Sequence, residues 1–130
     1  MTSRSICALA LLVATAMLLI SCGGNTTMNK DCNPTGLAIN PASGTADHTQ
    51  AAPGNQVQYA GMLQYPTGCA VPSVVPVLTW TTSDTTDTSI SSGTTNPGLA
   101  TCLNVTTQPT TITGTDPTNS LKGTATLSCK

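Results

Sequence analysis

The strict alternation of residue types between positions 56 and 65 constrains the fold of this chain more than any other feature. Residues suited to burial occupy the odd positions: Val57, Tyr59, Gly61, Leu63 and Tyr65. The even positions hold Gln56, Gln58, Ala60, Met62 and Gln64. Because successive side chains of a β-strand point to opposite faces, this pattern predicts a strand with one face in the core and one in solvent.

Shorter stretches of the same period, bounded by turn-forming residues, predict further strands on both sides of it. The residues predicted to face inward are Leu37, Ile39 and Pro41 in a first strand, Val74, Pro76, Leu78 and Trp80 in a third, and Leu121, Gly123, Ala125, Leu127 and Cys129 in the last. Short strands are also predicted around Ile90 and over residues 99–103 and 110–115, with a turn at 116–119. The sequence therefore predicts an all-β domain of about seven short strands.

Composition agrees with this fold class and excludes several functions. The chain has no Phe, and two Tyr and one Trp are its only aromatic residues, while 9 Pro and 11 Gly interrupt it. Its net charge of −1 provides neither the basic surface that binds nucleic acid nor a Lys/Arg cluster for anionic lipid. Abundant Thr would also suit a mucin-like stalk or a disordered segment, but the low charge and the alternation favour a folded domain.

The N-terminal residues 1–21 have the features of a helical secretory signal peptide. Arg4 precedes an uncharged and mostly apolar stretch, residues 6–20. Such a stretch is shorter than the roughly 20 residues of a membrane-spanning helix, but it fits the apolar region of a signal peptide. The alternative, a buried core helix, is disfavoured because the rest of the chain offers little that could pack around it.

The end of this stretch, Leu19-Ile20-Ser21-Cys22, resembles the lipobox of bacterial lipoproteins. The resemblance implies cleavage before Cys22 and a diacylglycerol on the Cys22 sulfur, so that the lipid anchors the mature chain. Gly23 stands where an Asp would signal retention at the inner membrane. We therefore expect an exported protein at the bacterial cell envelope, on the outer membrane where the cell has one.

The cysteine count fits this interpretation. Of the six Cys, one lies within the signal peptide and Cys22 is the lipidation candidate. The remaining four are Cys32, Cys69, Cys102 and Cys129. An even number of Cys in an exported chain predicts two disulfides, with three possible pairings.

Several segments in order resemble the bacterial immunoglobulin-like domains of group 2. They are LAINPAS, APGNQVQYAG, LTWTTSD, NPGLAT, TTITGT and KGTATLSC, within residues 37–130. The resemblance implies an immunoglobulin-like β-sandwich over residues 32–130, after a flexible tether at 22–31, with Tyr59 and Trp80 in its core. Asp87 departs from the family, which usually has an apolar residue at the start of its fourth strand, so that strand is expected to begin late.

On this topology we expect Cys32 to pair with Cys69, because one precedes the first strand and the other follows its antiparallel neighbour. Cys102 and Cys129 lie late on strands that finish at the opposite end of the sandwich, so we expect them to pair as well. The alternation places Cys129 inward but Cys102 out of phase with Leu99, unless a bulge intervenes.

Candidate chemical groups are few. His48 is the only His, and its place in a loop favours a solvated side chain. Asp84 and Asp87 are the only close pair of carboxylates and are weak candidates for a Ca²⁺ site, against the alternative of a turn stabilised by Asp84. Trp80 and Tyr59 could stack on a sugar, but their phase places them in the core.

We therefore expect a protein without catalytic activity or cofactor, which displays one immunoglobulin-like domain in a structural, adhesive or protein-interaction role. Its partners would be the membrane, through the N-terminal lipid, and an envelope or extracellular protein or glycan, but not nucleic acid. The alternative is a small ligand- or carbohydrate-binding lipoprotein that uses the loops at the ends of the sandwich, around Cys69 and over residues 103–109.

Overall fold

The computed structural model describes residues 32–130, which form an all-β, sandwich-like domain of nine strands with no helix among these residues. The strands are β1 Gly36–Asn40, β2 Ser43–Ala46, β3 Gln56–Gln58, β4 Ala60–Gln64, β5 Thr79–Thr82, β6 Thr88–Ile90, β7 Leu99–Cys102, β8 Thr110–Asp116 and β9 Leu121–Cys129. The predicted signal peptide, the tether and Cys22 lie outside the described residues. Within residues 32–130, no helix is long and apolar enough to cross a membrane.

The strands pair into sheets of four, three and two. The four-stranded sheet has the order β2-β9-β8-β5, in which only the β2–β9 pair is parallel. The order β3-β7-β6 makes the three-stranded sheet, and β1 pairs with β4. Because only Tyr59 separates β3 from β4, the two smaller sheets share one chain segment and continue each other.

The core lies between these layers. Its buried side chains come from both layers and are Leu37, Ile39, Ala46, Tyr59, Leu78, Trp80, Ala100, Cys102, Ile112, Ala125, Leu127 and Cys129. The alternation predicted for residues 56–65 is present, since Tyr59 is 1% exposed and Met62 is 64% exposed. The most regular alternation occurs in β9, whose buried positions are Gly123, Ala125, Leu127 and Cys129.

Three details differ from the sequence prediction. The predicted strand from Val74 begins only at Thr79, and Val74 is exposed. Pro76 in this stretch lacks the N–H that a paired strand position needs, which favours a loop. In β7, Ala100 and Cys102 face the core and Leu99 is half-buried, so no bulge is required to bring Cys102 inward.

The third difference is β2, which the sequence analysis did not identify. Its sequence, SGTA, contains Gly44 and Ala46, which have low strand propensity, and β2 is held by its parallel register with β9. By contrast, the late start expected for the fourth predicted strand is present: β6 begins at Thr88, after the half-buried Asp87.

The start of β1 and the end of β4 meet at one end of the sandwich, here called the proximal end, where Gly36 lies opposite Gln64. The loop of residues 65–78 leaves from this end and leads to β5. The first residue of β5, Thr79, pairs with Thr115, the second-last residue of β8. The β8–β9 turn at 117–120 therefore lies at the proximal end as well.

The opposite, distal end carries the remaining loops. His48 N–H donates to the carbonyl of Lys130 over 2.9 Å, and Thr106 N–H donates to the carbonyl of Cys129 over 3.0 Å. These bonds place the loops at 47–55 and 103–109 beside the end of β9. The 83–87 turn after β5 is at the same end.

Candidate functional site

A disulfide ties the entry of the chain to the loop at the proximal end. Cys32 is bonded to Cys69, with their Cα atoms 5.6 Å apart. Thr35 N–H also donates to the carbonyl of Gln64 over 2.8 Å. The point at which the chain enters the domain is therefore fixed beside the 65–78 loop.

A second disulfide joins the two layers near the distal end. Cys102 in β7 is bonded to Cys129 in β9, again with Cα atoms 5.6 Å apart. Both residues are buried, at 2% and 3% exposure, so this bridge is part of the core. The two bridges are the pairs expected from strand topology.

The aromatic residues Tyr59 and Trp80 are both buried. The Tyr59 hydroxyl donates to the carbonyl of Thr126 over 2.8 Å, and burial raises the pKa of the Tyr59 phenol to about 12. The backbone N–H of Trp80 donates to Ser92 Oγ over 2.6 Å, and the Ser92 hydroxyl donates to the backbone carbonyl of Trp80 over 2.8 Å. Only 6% of Trp80 is exposed, which leaves little of its ring for stacking on a sugar.

Of the polar side chains singled out in the sequence, those of His48 and Asp84 contact the backbone, while Asp87 is half-buried and accepts the Leu103 N–H through its own carbonyl. His48 Nδ1 lies 2.9 Å from the carbonyl oxygen of Lys130. The Asp84 carboxylate accepts the N–H groups of Thr86 and Asp87 through one oxygen, at 2.9 and 3.1 Å. Asp84 thus stabilises a turn, and residues 32–130 contain no group of three or more His, Cys, Asp or Glu that could hold a metal ion.

A groove of about 390 Å³ lies where the two layers meet at their outer strands, β5 and β6. Five of its seven lining residues carry a hydroxyl group: Thr81, Thr82, Thr85, Thr88 and Ser89. Thr82 and Thr88 use their hydroxyls on each other, at 2.6 Å. Trp80 and Ile90 complete the lining.

A smaller cavity of about 240 Å³ lies nearer the proximal end, between Leu78 and the β6–β7 loop. Neither this cavity nor the groove is lined by residues 66–73 or 103–109, the loops that the sequence analysis associated with ligand binding.

The proximal loop carries an apolar surface that was not predicted from the sequence. We call residues 70–77 the valine loop; its four exposed valines are Val71, Val74, Val75 and Val77. Their exposures are 67%, 78%, 75% and 86%. The signal was the run VPSVVPV, in which two prolines interrupt an apolar stretch and prevent its pairing in a sheet.

No protein-family model matches this chain, and a search of curated proteins finds no significant match to it.

Proposed function

We propose that this chain is an exported lipoprotein, anchored through Cys22 at the bacterial cell envelope, that displays a single immunoglobulin-like domain. Its role is structural or adhesive, through contact with an envelope or extracellular protein or glycan, and it involves no catalysis. In a bacterium with two membranes, Gly23 after Cys22, in place of Asp, favours anchoring in the outer membrane.

The strand order supports the immunoglobulin-like assignment. In such sandwiches, four strands in the order A-B-E-D face a sheet containing C, F and G, with a buried Trp on strand C. Here β1, the β3–β4 segment, β7 and β6 follow the first order, and β5, β8 and β9 follow the second. Trp80 lies in β5, the position of strand C.

The observation that carries the export and anchoring is the position of Cys22. It follows an apolar stretch of signal-peptide length and precedes the first disulfide-bonded residue, Cys32, by only ten residues. Disulfides are typical of proteins in oxidising compartments outside the cytosol. The bridges and the lipobox-like segment therefore support the same location.

The use of polar side chains supports display rather than catalysis. Asp84 and Asp116 accept hydrogen bonds from their own turns, and His48 contacts a backbone carbonyl. A general base must lie within reach of the proton that it removes, and another group must orient it. These three side chains instead contact their own turns or a backbone carbonyl, which supports a role in display.

This proposal is tested by mass spectrometry of the intact native protein, extracted from membranes with detergent. We expect a chain that begins at Cys22, carries diacylglycerol and has its four other cysteines oxidised. Cys22→Ala should abolish processing and membrane attachment, whereas Cys7→Ala should leave both unchanged. A mature chain without lipid, or unchanged attachment of Cys22→Ala, would refute the anchor.

The groove between β5 and β6 favours a second candidate function, the binding of a small neutral ligand such as a saccharide. Its volume lies within the range of ligand sites, and none of its seven lining residues is charged. Trp80 is the only Trp, so its emission reports directly on the groove. Titration with neutral mono- and disaccharides should shift this emission, Thr81→Val should weaken the effect, and Thr79→Val outside the groove should not.

A further inference from the structure

The valine loop is an apolar surface that the fold leaves uncovered. Its four valines are between 67% and 86% exposed, and no charged residue occurs from position 66 to position 83. Soluble domains rarely leave a cluster of large apolar side chains in water, and such clusters mark contacts with partners or membranes. The question is which of these covers it.

The covalent connection between the valine loop and the N-terminal segment favours the membrane as the surface that covers the loop. The Cys32–Cys69 bridge holds the start of the loop beside the point where the chain enters the domain, and Val71 follows Cys69 by two residues. Ten residues connect Cys22 to Cys32, which can span at most about 36 Å. A lipid on Cys22 therefore limits the distance between the membrane and the start of the valine loop to about this length, on the end of the domain that Cys32 enters.

The distribution of charge gives the same orientation. The charged side chains placed at the distal end are Asp47, Asp84, Asp87 and Lys130. Among residues 32–130, the proximal end has one carboxylate, Asp116, which is only 3% exposed, and Lys122 lies nearby in β9. Because removing a charged group from water is costly, the proximal end, which exposes fewer charged side chains, is the one that suits a membrane interface.

We propose that the valine loop inserts its exposed side chains into the interface of the membrane that holds the Cys22 lipid. This inference rests on the anchor proposed above and adds a second attachment to it. The loop has no Lys or Arg, so its contact depends on buried apolar area and not on anionic lipid. Two attachments at one end direct the distal end and its acidic turns away from the membrane.

The test uses the full lipidated protein, reconstituted in phosphatidylcholine vesicles whose acyl chains carry bromine, which quenches tryptophan on contact. Val75→Trp places a fluorophore in the valine loop, while buried Trp80 supplies the background in the wild type. Val105→Trp is the matched control, because Val105 is 57% exposed but lies in the distal 103–109 loop. Thermal unfolding of each variant verifies that the fold is retained.

We expect emission of Val75→Trp to be quenched at least twofold more than that of Val105→Trp, with little change when a fifth of the lipid is phosphatidylglycerol. Equal quenching of the two variants, in protein whose mass shows an acylated Cys22, would overturn the loop contact and leave the anchor intact. Emission that changes with protein density in unbrominated vesicles would also overturn it, in favour of contact between two copies. Protein without the acyl group would refute the anchor and this inference together.

Discussion

The hydroxyl of Tyr59 donates a hydrogen bond to the backbone carbonyl of Thr126, 2.8 Å away, and this bond crosses the core from one layer to the other. Tyr59 stands between β3 and β4, while Thr126 lies in β9. Gly44 in β2 leaves room for the phenol, because a Cβ at that position would lie 2.7 Å from the Tyr59 hydroxyl oxygen. The core therefore contains a hydrogen bond between its two layers as well as its few large apolar side chains.

Tyr59→Phe should lower the free energy of unfolding by about 1 kcal/mol, since it removes this bond but keeps the ring. The loss becomes larger if the Thr126 carbonyl is left without another donor. Urea denaturation measures the difference. Tyr65→Phe is the control, because Tyr65 is only half-buried beyond the end of β4, and its loss should be smaller. Equal losses would show that the Tyr59 hydroxyl has no special role.

Alkaline pH should destabilise the protein through the same residue. The pKa of Tyr59 is raised from 10.0 to about 12 by burial, so the folded state retains a proton that the unfolded state releases. The stabilising effect is complete below pH 10 and is lost as pH rises through about 12. Stability measured against pH should fall over this interval in the wild type and less steeply in Tyr59→Phe, and identical slopes would contradict the shift.

Removing the buried disulfide should cost more stability than removing Cys32–Cys69, in which Cys32 is exposed and Cys69 is half-buried. The chain-entropy model gives about 3.5 kcal/mol for Cys102–Cys129, with a separation of 27, and slightly more for Cys32–Cys69, with a separation of 37. The first pair is buried, so its replacement by Ala also leaves a cavity. Denaturation of the two double-Ala variants should therefore reverse the order expected from loop length, and the entropic order would contradict this argument.

Gly98 has a positive φ of 81°, and a Cβ there would clash with the carbonyl oxygen of Tyr59 and approach the Trp80 ring to 3.0 Å. Gly98→Ala should cost about 3 kcal/mol or more, because backbone strain and a steric clash add. Gly68 has a similar φ of 90° with open space around it, so Gly68→Ala should cost only the strain, about 1 kcal/mol. The melting temperatures of the two variants separate the cost of backbone strain from the cost of the clash. Equal decreases in melting temperature would exclude a clash at Gly98.

The sequence predicted those parts of the fold that side-chain alternation determines. Tyr59 in the segment 56–64 and Leu127 in β9 occupy the faces expected from period two. Turn chemistry was equally readable: Asp84 and Asp116 each accept hydrogen bonds from the residues that follow them. These features are local, so a short window of sequence contains them.

Features that depend on distant partners were not predictable in this way. Strand β2 has a weak local signal and exists because β9 pairs with it. The groove between β5 and β6 arises where the outer strands of different sheets meet. Residues 74–77 of the valine loop were interpreted as the start of a strand, because their valines outweighed Pro76, which lacks the N–H of a paired position.

Acidic pH should weaken the β8–β9 hairpin through Asp116. Its carboxylate accepts a hydrogen bond from the Asn119 side-chain amide at 2.6 Å and from Thr118 N–H at 3.0 Å, and these bonds, the Asn119 bond first, lower the pKa of Asp116 below its ordinary 3.8. A lowered pKa in the folded state contributes stability above pH 3.8 that is lost as pH falls through the folded value.

Asp116→Asn should therefore be less stable than the wild type at pH 7, and this difference should shrink as pH falls below about 4. Asp47, whose pKa is lowered mainly by the Thr49 hydroxyl, is present in both proteins and cancels in the comparison. Asn119→Ala removes the strongest donor, so the Asp116 pKa measured by carboxyl NMR should rise toward 3.8. A difference in stability that is constant from pH 7 to pH 2, with an Asp116 pKa indifferent to Asn119, would mean that the turn is held by its backbone alone.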